Sequence, residues 1–301
     1  RRRSESIGKS HETAGQELRQ INFLSAVIVR CHADPSEVFR LQREILRQRL
    51  RIHNPFSNSV ELSMTDEERA YNLEDFSTAA PAPTNPGETM AAKIGLPAPD
   101  FEARDLNGGV VRLAQFGGKR QVVMMTGAVT SPMCAFEIPE FNRLHSEFDS
   151  KGVSFFLLYT RESHPAENYS AHQSFEQKLA YARDFQRLEN VKFPILVDHL
   201  DGRIHRAYGV WPNALFIINK DGRLIFRSNM ANHRELREFL NDLLDAESAC
   251  AQGKVTHLQY SERVLPHEAD QATHHRVYER AGVNAFEDYW AKRPQHRNRW
   301  P

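Results

Sequence analysis

Between residues 94 and 247, short apolar runs and amphipathic stretches take turns along the chain, and that alternation restricts the fold more than any other feature. "RQVVMMTGA", "VSFFLLYT" and "FPILVD" are apolar runs of strand length, the pattern of strands covered on both faces. "AFEIPEFNRLHSEFDSKG" repeats Phe136, Phe141, Leu144 and Phe148 at helical spacing, and "HQSFEQKLAYARDFQRL" does so with Phe175, Leu179 and Ala182. A hairpin is predicted over "DFEARDLNGGVVRLAQF", turning at Asn107 to Gly109, and a second over "NALFIINKDGRLIFRS", turning at Asp221-Gly222. "GRIHRAYGV" reads as a short helix and "NHRELREFLNDLLDAE" as a closing amphipathic one.

Strand, helix, strand, helix, hairpin and helix is the order of an α/β thioredoxin-like fold, a central mixed sheet flanked by helices. The domain should occupy residues 94–247. Ahead of it, "STAAPAPTNPGET" is too rich in proline for a regular element, so residues 77–93 are expected to form a linker. Residues 1–76 form a helical, partly extended region. Its main helix opens at Asp34-Pro35 with Glu37 and sets Val38, Leu41, Ile45 and Leu46 against an arginine face. Residues 248–301 form a C-terminal extension with a helix around "NAFEDYW". Such an extension cannot bury itself, so it should pack on the domain, on the first region or on a partner, with Trp290 and Trp300 as anchors, unless it is a free tail.

The 39 basic and 39 acidic residues cancel, so no whole-protein field selects nucleic acid or an anionic membrane. The arginine face could meet phosphate or acidic lipid, but a solvated face is the simpler reading. "INFLSAVIV" is too short to span a bilayer, which takes roughly 20 residues. Cys31, Cys134 and Cys250 are odd in number and scattered, which favours a reducing compartment over a disulfide framework. The opening "RRRSESIGKS" is compatible with the remainder of an organelle transit peptide, a mitochondrial one for example, and equally with a basic tail. No Gly-rich phosphate loop occurs, and His274-His275 lacks the partners of a metal site, so neither cofactor nor metal is expected.

The stretch "TGAVTSPMCAFEIPEFNRL", followed by "FFLLYTRESHPAENY" and "DHLDGRIHRAYGV", resembles the iodothyronine deiodinases and their bacterial redoxin relatives. In that family a Thr-selenocysteine-Pro or Thr-Cys-Pro motif opens the first core helix, and a Tyr-x-x-Glu-x-His-Pro motif completes the site. The resemblance sets Thr130, Ser131 and Pro132 on the first motif, and Glu162, His164 and Pro165 on the second. It implies reductive thiol or selenol chemistry restored by a thiol reductant, and a cis bond at Pro212.

Ser131 stands where the nucleophile belongs. A helix N-terminus can bring a thiol from about 8.5 down to between 3.5 and 7.5. A hydroxyl starts far higher and has no reversible oxidation states. Cys134, three residues on, is either a packed sulfur or a surviving nucleophile. If residues 159–164 stay extended, Glu162 and His164 point to one side and could shuttle a proton, or else they brace the loop. Three functions follow. One is a non-catalytic subunit of a larger assembly, bound to other protein chains through its N- and C-terminal extensions. A second is a thiol-dependent oxidoreductase, dehalogenating or peroxidatic, using Cys134 with Glu162 and His164. A third, weaker one is a lipid- or RNA-binding adaptor.

Overall fold

The structure, a computed structural model, describes residues 64–74, 91–258, 260–264, 269–282 and 285. All lie in the second of two compact units, Met64–Pro301. The arginine-faced helix, residues 77–90 of the linker, the "NAFEDYW" helix, Cys31, Trp290 and Trp300 fall outside the described residues.

The sheet is built from β1 (Glu102–Asp105), β2 (Val110–Arg112), β3 (Gln121–Gly127), β4 (Val153–Tyr159), β5 (Ile195–Val197), β6 (Leu215–Ile218), β7 (Leu224–Ser228) and β8 (Ser261–Arg263). Their order is β2-β1-β5-β4-β3-β6-β7-β8. β3, β4 and β5 run parallel, β6 returns antiparallel to β3, and β7 antiparallel to β6. This is the thioredoxin-like arrangement expected from the order of elements. Both predicted hairpins form, and Asp105 Oδ1 braces the first by accepting from the amides of Asn107 and Gly109.

Alternation along the strands divides the core in two. Val123 and Met125 of β3 and Leu215 and Ile217 of β6 face α2 (Pro132–Phe148), α3 (Phe175–Glu189) and α5 (His233–Ala251). Val122, Met124, Phe216 and Ile218 face α4 (Arg203–Tyr208) and the first hairpin. Helix starts follow local chemistry. Ser174 caps α3, and Asn232 caps α5 through two amides. The helix α2 tolerates Pro139 on its exposed side, at the loss of one amide-to-carbonyl bond.

Three elements outside the predicted domain join it, and one is β8, which extends the sheet parallel to β7. α1 (Asp66–Tyr71), closed by a Thr65/Glu68 capping box, buries Met64, Tyr71 and Asn72. Within the C-terminal extension, α6 (Gln271–Ala281) packs on α2 and buries Val277, Tyr278 and Ala281. The parallel strands bring their carboxyl ends to one edge, where the loops after β3, β4 and β5 meet.

Candidate functional site

At that edge β3 ends on Gly127, and four residues later Ser131 opens α2. Ser131 is its N-cap: extended backbone and a side-chain oxygen that accepts the Cys134 amide at 3.3 Å, with Pro132 at the first helical position. The hydroxyl therefore already holds one of the helix's otherwise unpaired donors, and the residue is 3% exposed. Ser131→Ala is expected to lower stability by about 1 kcal/mol in urea denaturation.

Glu162 is the hub of the second motif. The strand β4 ends at Tyr159 and the chain then bends at Arg161 and Ser163, so residues 159–164 do not stay extended. Glu162 turns inward with its side chain fully buried, while the His164 ring packs edge-on against Tyr278 of α6, 5.3 Å between centroids. The expectation that the two point to one side fails because the bends break the two-residue alternation.

Four donors converge on the Glu162 carboxyl group. Oε2 takes the Thr130 hydroxyl at 2.6 Å and the Thr130 amide at 3.2 Å, while Oε1 takes the Tyr159 hydroxyl and His172 Nε2 at 3.1 Å. The direction of the Thr130 bond is determined by its surroundings. Thr130 Oγ1 accepts the amides of Ser163 and His164, both at 3.1 Å, so its proton goes to Glu162. Tyr159 likewise accepts the Val129 amide and donates its own proton. A carboxylate has about four lone-pair sites, and here each has a donor. Glu162 thus ties the β3–α2 loop to the β4 loop.

Cys134 is fully buried on the inner face of α2. Its sulfur lies over Gly127 so closely that a Cβ there would stand 2.3 Å away. Burial pushes the thiol well above its usual range, and the Glu189 and Glu137 carboxylates add to the effect. Of the other two cysteines, Cys250 is exposed on α5 and Cys31 lies outside the described residues.

A second buried cluster stands behind the first. His205 of α4 donates from Nε2 to the Trp211 carbonyl at 2.9 Å, so its Nδ1 accepts the Tyr71 hydroxyl at 2.8 Å. Tyr71 lies against Gly202, whose φ of +68° suits glycine and where a Cβ would come within 2.0 Å of the ring. The Trp211 carbonyl also receives the Thr126 hydroxyl at 2.9 Å, and Thr126 accepts the Ala214 amide at 2.8 Å. Those bonds hold both flanks of Pro212 in place. The Trp211–Pro212 bond is trans, which corrects the cis expectation: no cis peptide occurs among the described residues.

Residues 94–227 match the AhpC/TSA family. The thiol-disulfide oxidoreductase ResA of Bacillus thuringiensis subsp. konkukian is 30% identical over 153 residues, 50% of this chain and 79% of the relative. The chain belongs to the AhpC/TSA redoxin family. It is also 28% identical over 148 residues, 46% of its length, to the type I iodothyronine deiodinase of Xenopus laevis, spanning 58% of that relative. Among solved structures, a thiol:disulfide interchange protein of the thioredoxin family from Chlorobium tepidum aligns with a TM-score of 0.39 at 16% identity, over 51% of this chain and 99% of that one.

In this redoxin, then, Thr130, Ser131, Cys134 and Glu162 are brought together, with Pro132 and Pro165 buried beside them. His164 joins through its backbone amide. Sequence reasoning missed the cluster's other members. Tyr159 was visible only as the first letter of the second motif, and nothing around His172, Tyr71 or His205 marks them as buried partners. Among the described residues no group of three or more His, Cys, Asp or Glu side chains is placed to hold a metal ion, and no helix is long and apolar enough to cross a membrane.

Proposed function

We propose that this redoxin-family chain acts without redox chemistry, as a structural or interaction subunit bound to other protein chains. One observation carries the reading: the position of the family nucleophile holds Ser131, and its hydroxyl serves as the cap of α2. The surroundings support it. The nearest sulfur is sealed against Gly127 and its thiolate is disfavoured, so it can neither attack a substrate nor resolve an oxidised partner. Glu162 is saturated with donors and His164 is covered by Tyr278. What remains of the family site is a brace between two loops, and a brace is retained when the fold is used as a platform.

The opposing reading, a thiol oxidoreductase using Cys134 in the manner its ResA and deiodinase relatives' names suggest, draws on the intact Thr130–Glu162–Tyr159 network. Site-resolved mass spectrometry of native alkylation between about pH 6 and 9 separates the two. Cys250 is expected to label readily and Cys134 to stay protected at every pH that leaves the fold intact. Peroxide and disulfide reduction assays with dithiothreitol should show no turnover that depends on Cys134. Turnover lost in Cys134→Ala while its fold is retained would falsify the non-catalytic reading.

A further inference from the structure

The helix α5 and the segment after it enclose a groove of about 560 Å³ that shares no residue with the Ser131 site. Phe226, Phe239 and Leu258 form its apolar part. Its wall is acidic: Glu235, Glu238, Asp242 and Asp245 recur three or four residues apart, so they line one face of α5. Against these four carboxylates the lining offers one guanidinium, that of Arg263, which pairs with Glu235 at 3.2 Å. Among the described residues no ion pair reaches Glu238, Asp242 or Asp245.

That arrangement works against the helix that carries it. Like charges one turn apart repel, and these four carboxylates follow one another at that spacing along α5. A cation from outside would relieve the repulsion. Next in sequence to the lining residues Thr256 and Arg263, Val255 and Val264 are 91% and 62% exposed.

We infer that this groove docks a basic amphipathic helix of a partner protein. Its Lys or Arg side chains meet Glu238, Asp242 and Asp245, and one bulky apolar side chain covers the partly buried Leu258. A helix is chosen over a strand because a second helix laid alongside α5 presents cations at i, i+4 and i+7, in step with the three free carboxylates. The inference deepens the interaction-subunit reading by naming the chemistry of the partner, and it rests on that reading.

The test is fluorescence anisotropy on the full chain with a labelled helical peptide of about 15 residues, carrying arginines at i, i+4 and i+7 flanked by leucines. Saturable binding is expected, weakened about 10-fold in the triple variant Glu238→Gln/Asp242→Asn/Asp245→Asn, whose changes lie on the exposed helix face. Binding should also weaken as salt is raised from about 0.05 to 0.3 M. A peptide with glutamates in place of the arginines should not bind. Equal binding by the triple variant, equal binding of the acidic peptide, insensitivity to salt, or no saturable binding would each overturn the proposal. Failure here with Cys134 still inert discards the groove alone, whereas peptide binding together with Cys134-dependent turnover discards the non-catalytic reading alone.

Discussion

Acidification from pH 6.5 toward 3 is expected to cost the folded chain about 4 kcal/mol through His205, at up to about 1.4 kcal/mol per pH unit. Burial is the main cause and brings this imidazole down to about 3 from 6.5, with the nearby Arg161 and Lys178 cations acting in the same direction. Its folded-state pKa lies below its unfolded one, so between those values the unfolded chain binds the extra proton. Stability from this group is therefore complete above pH 6.5 and falls as the pH drops toward 3. The geometry agrees with the sign, because a neutral ring is what lets Nδ1 accept the Tyr71 hydroxyl while Nε2 donates to Trp211. His172 shifts down by burial as well and adds to the slope.

Carboxylates contribute their own acid dependence, so the measurement is a difference. Urea denaturation at pH 7, 6 and 5 should give a wild-type slope steeper than that of His205→Gln by about 0.7 proton on average, about 1 kcal/mol per unit over that window. The variant loses the fitted contacts of the ring and will be less stable at pH 7. The slope, rather than the level, is the readout, and identical slopes would show that His205 titrates in the fold as it does in the unfolded chain.

Gly127→Ala is expected to lower stability by about 3 kcal/mol, because the new methyl would overlap the Cys134 sulfur in a core without slack. The strand is pinned on both sides, parallel to β4 and antiparallel to β6, and cannot move off the helix. The decisive comparison is the double variant. Cys134→Ala alone removes a buried sulfur and should cost about 1 to 2 kcal/mol. Combined with Gly127→Ala it removes the obstacle, so the two changes should couple by about 2 kcal/mol in the compensating sense. Additive losses would mean that the sulfur does not rest on Gly127. The same contact accounts for the full burial of the Cys134 thiol: the sulfur fills the space of a missing side chain on β3.

How much of this could be read from the letters depended on the range of the interactions involved. Strand and helix character arises from neighbours a few residues apart, so "RQVVMMTGA", the helix after Ser131 and both hairpin turns announced themselves, and the thioredoxin-like order followed from their succession. The two motifs likewise marked Thr130, Ser131 and Glu162 as belonging together. Side-chain direction beyond a strand end is another matter. Bends after Tyr159 sent Glu162 into a fully donor-saturated pocket and His164 to Tyr278, and no local pattern encodes those bends. Nor could a sequence show that His172, ten residues on, closes the Glu162 cluster, or that Tyr71 reaches His205 across 134 positions. Contacts of that separation exist once the sheet has gathered its loops at one edge. Whether Cys134 is a nucleophile or a packed sulfur is a question of burial, and burial is a property of the assembled core.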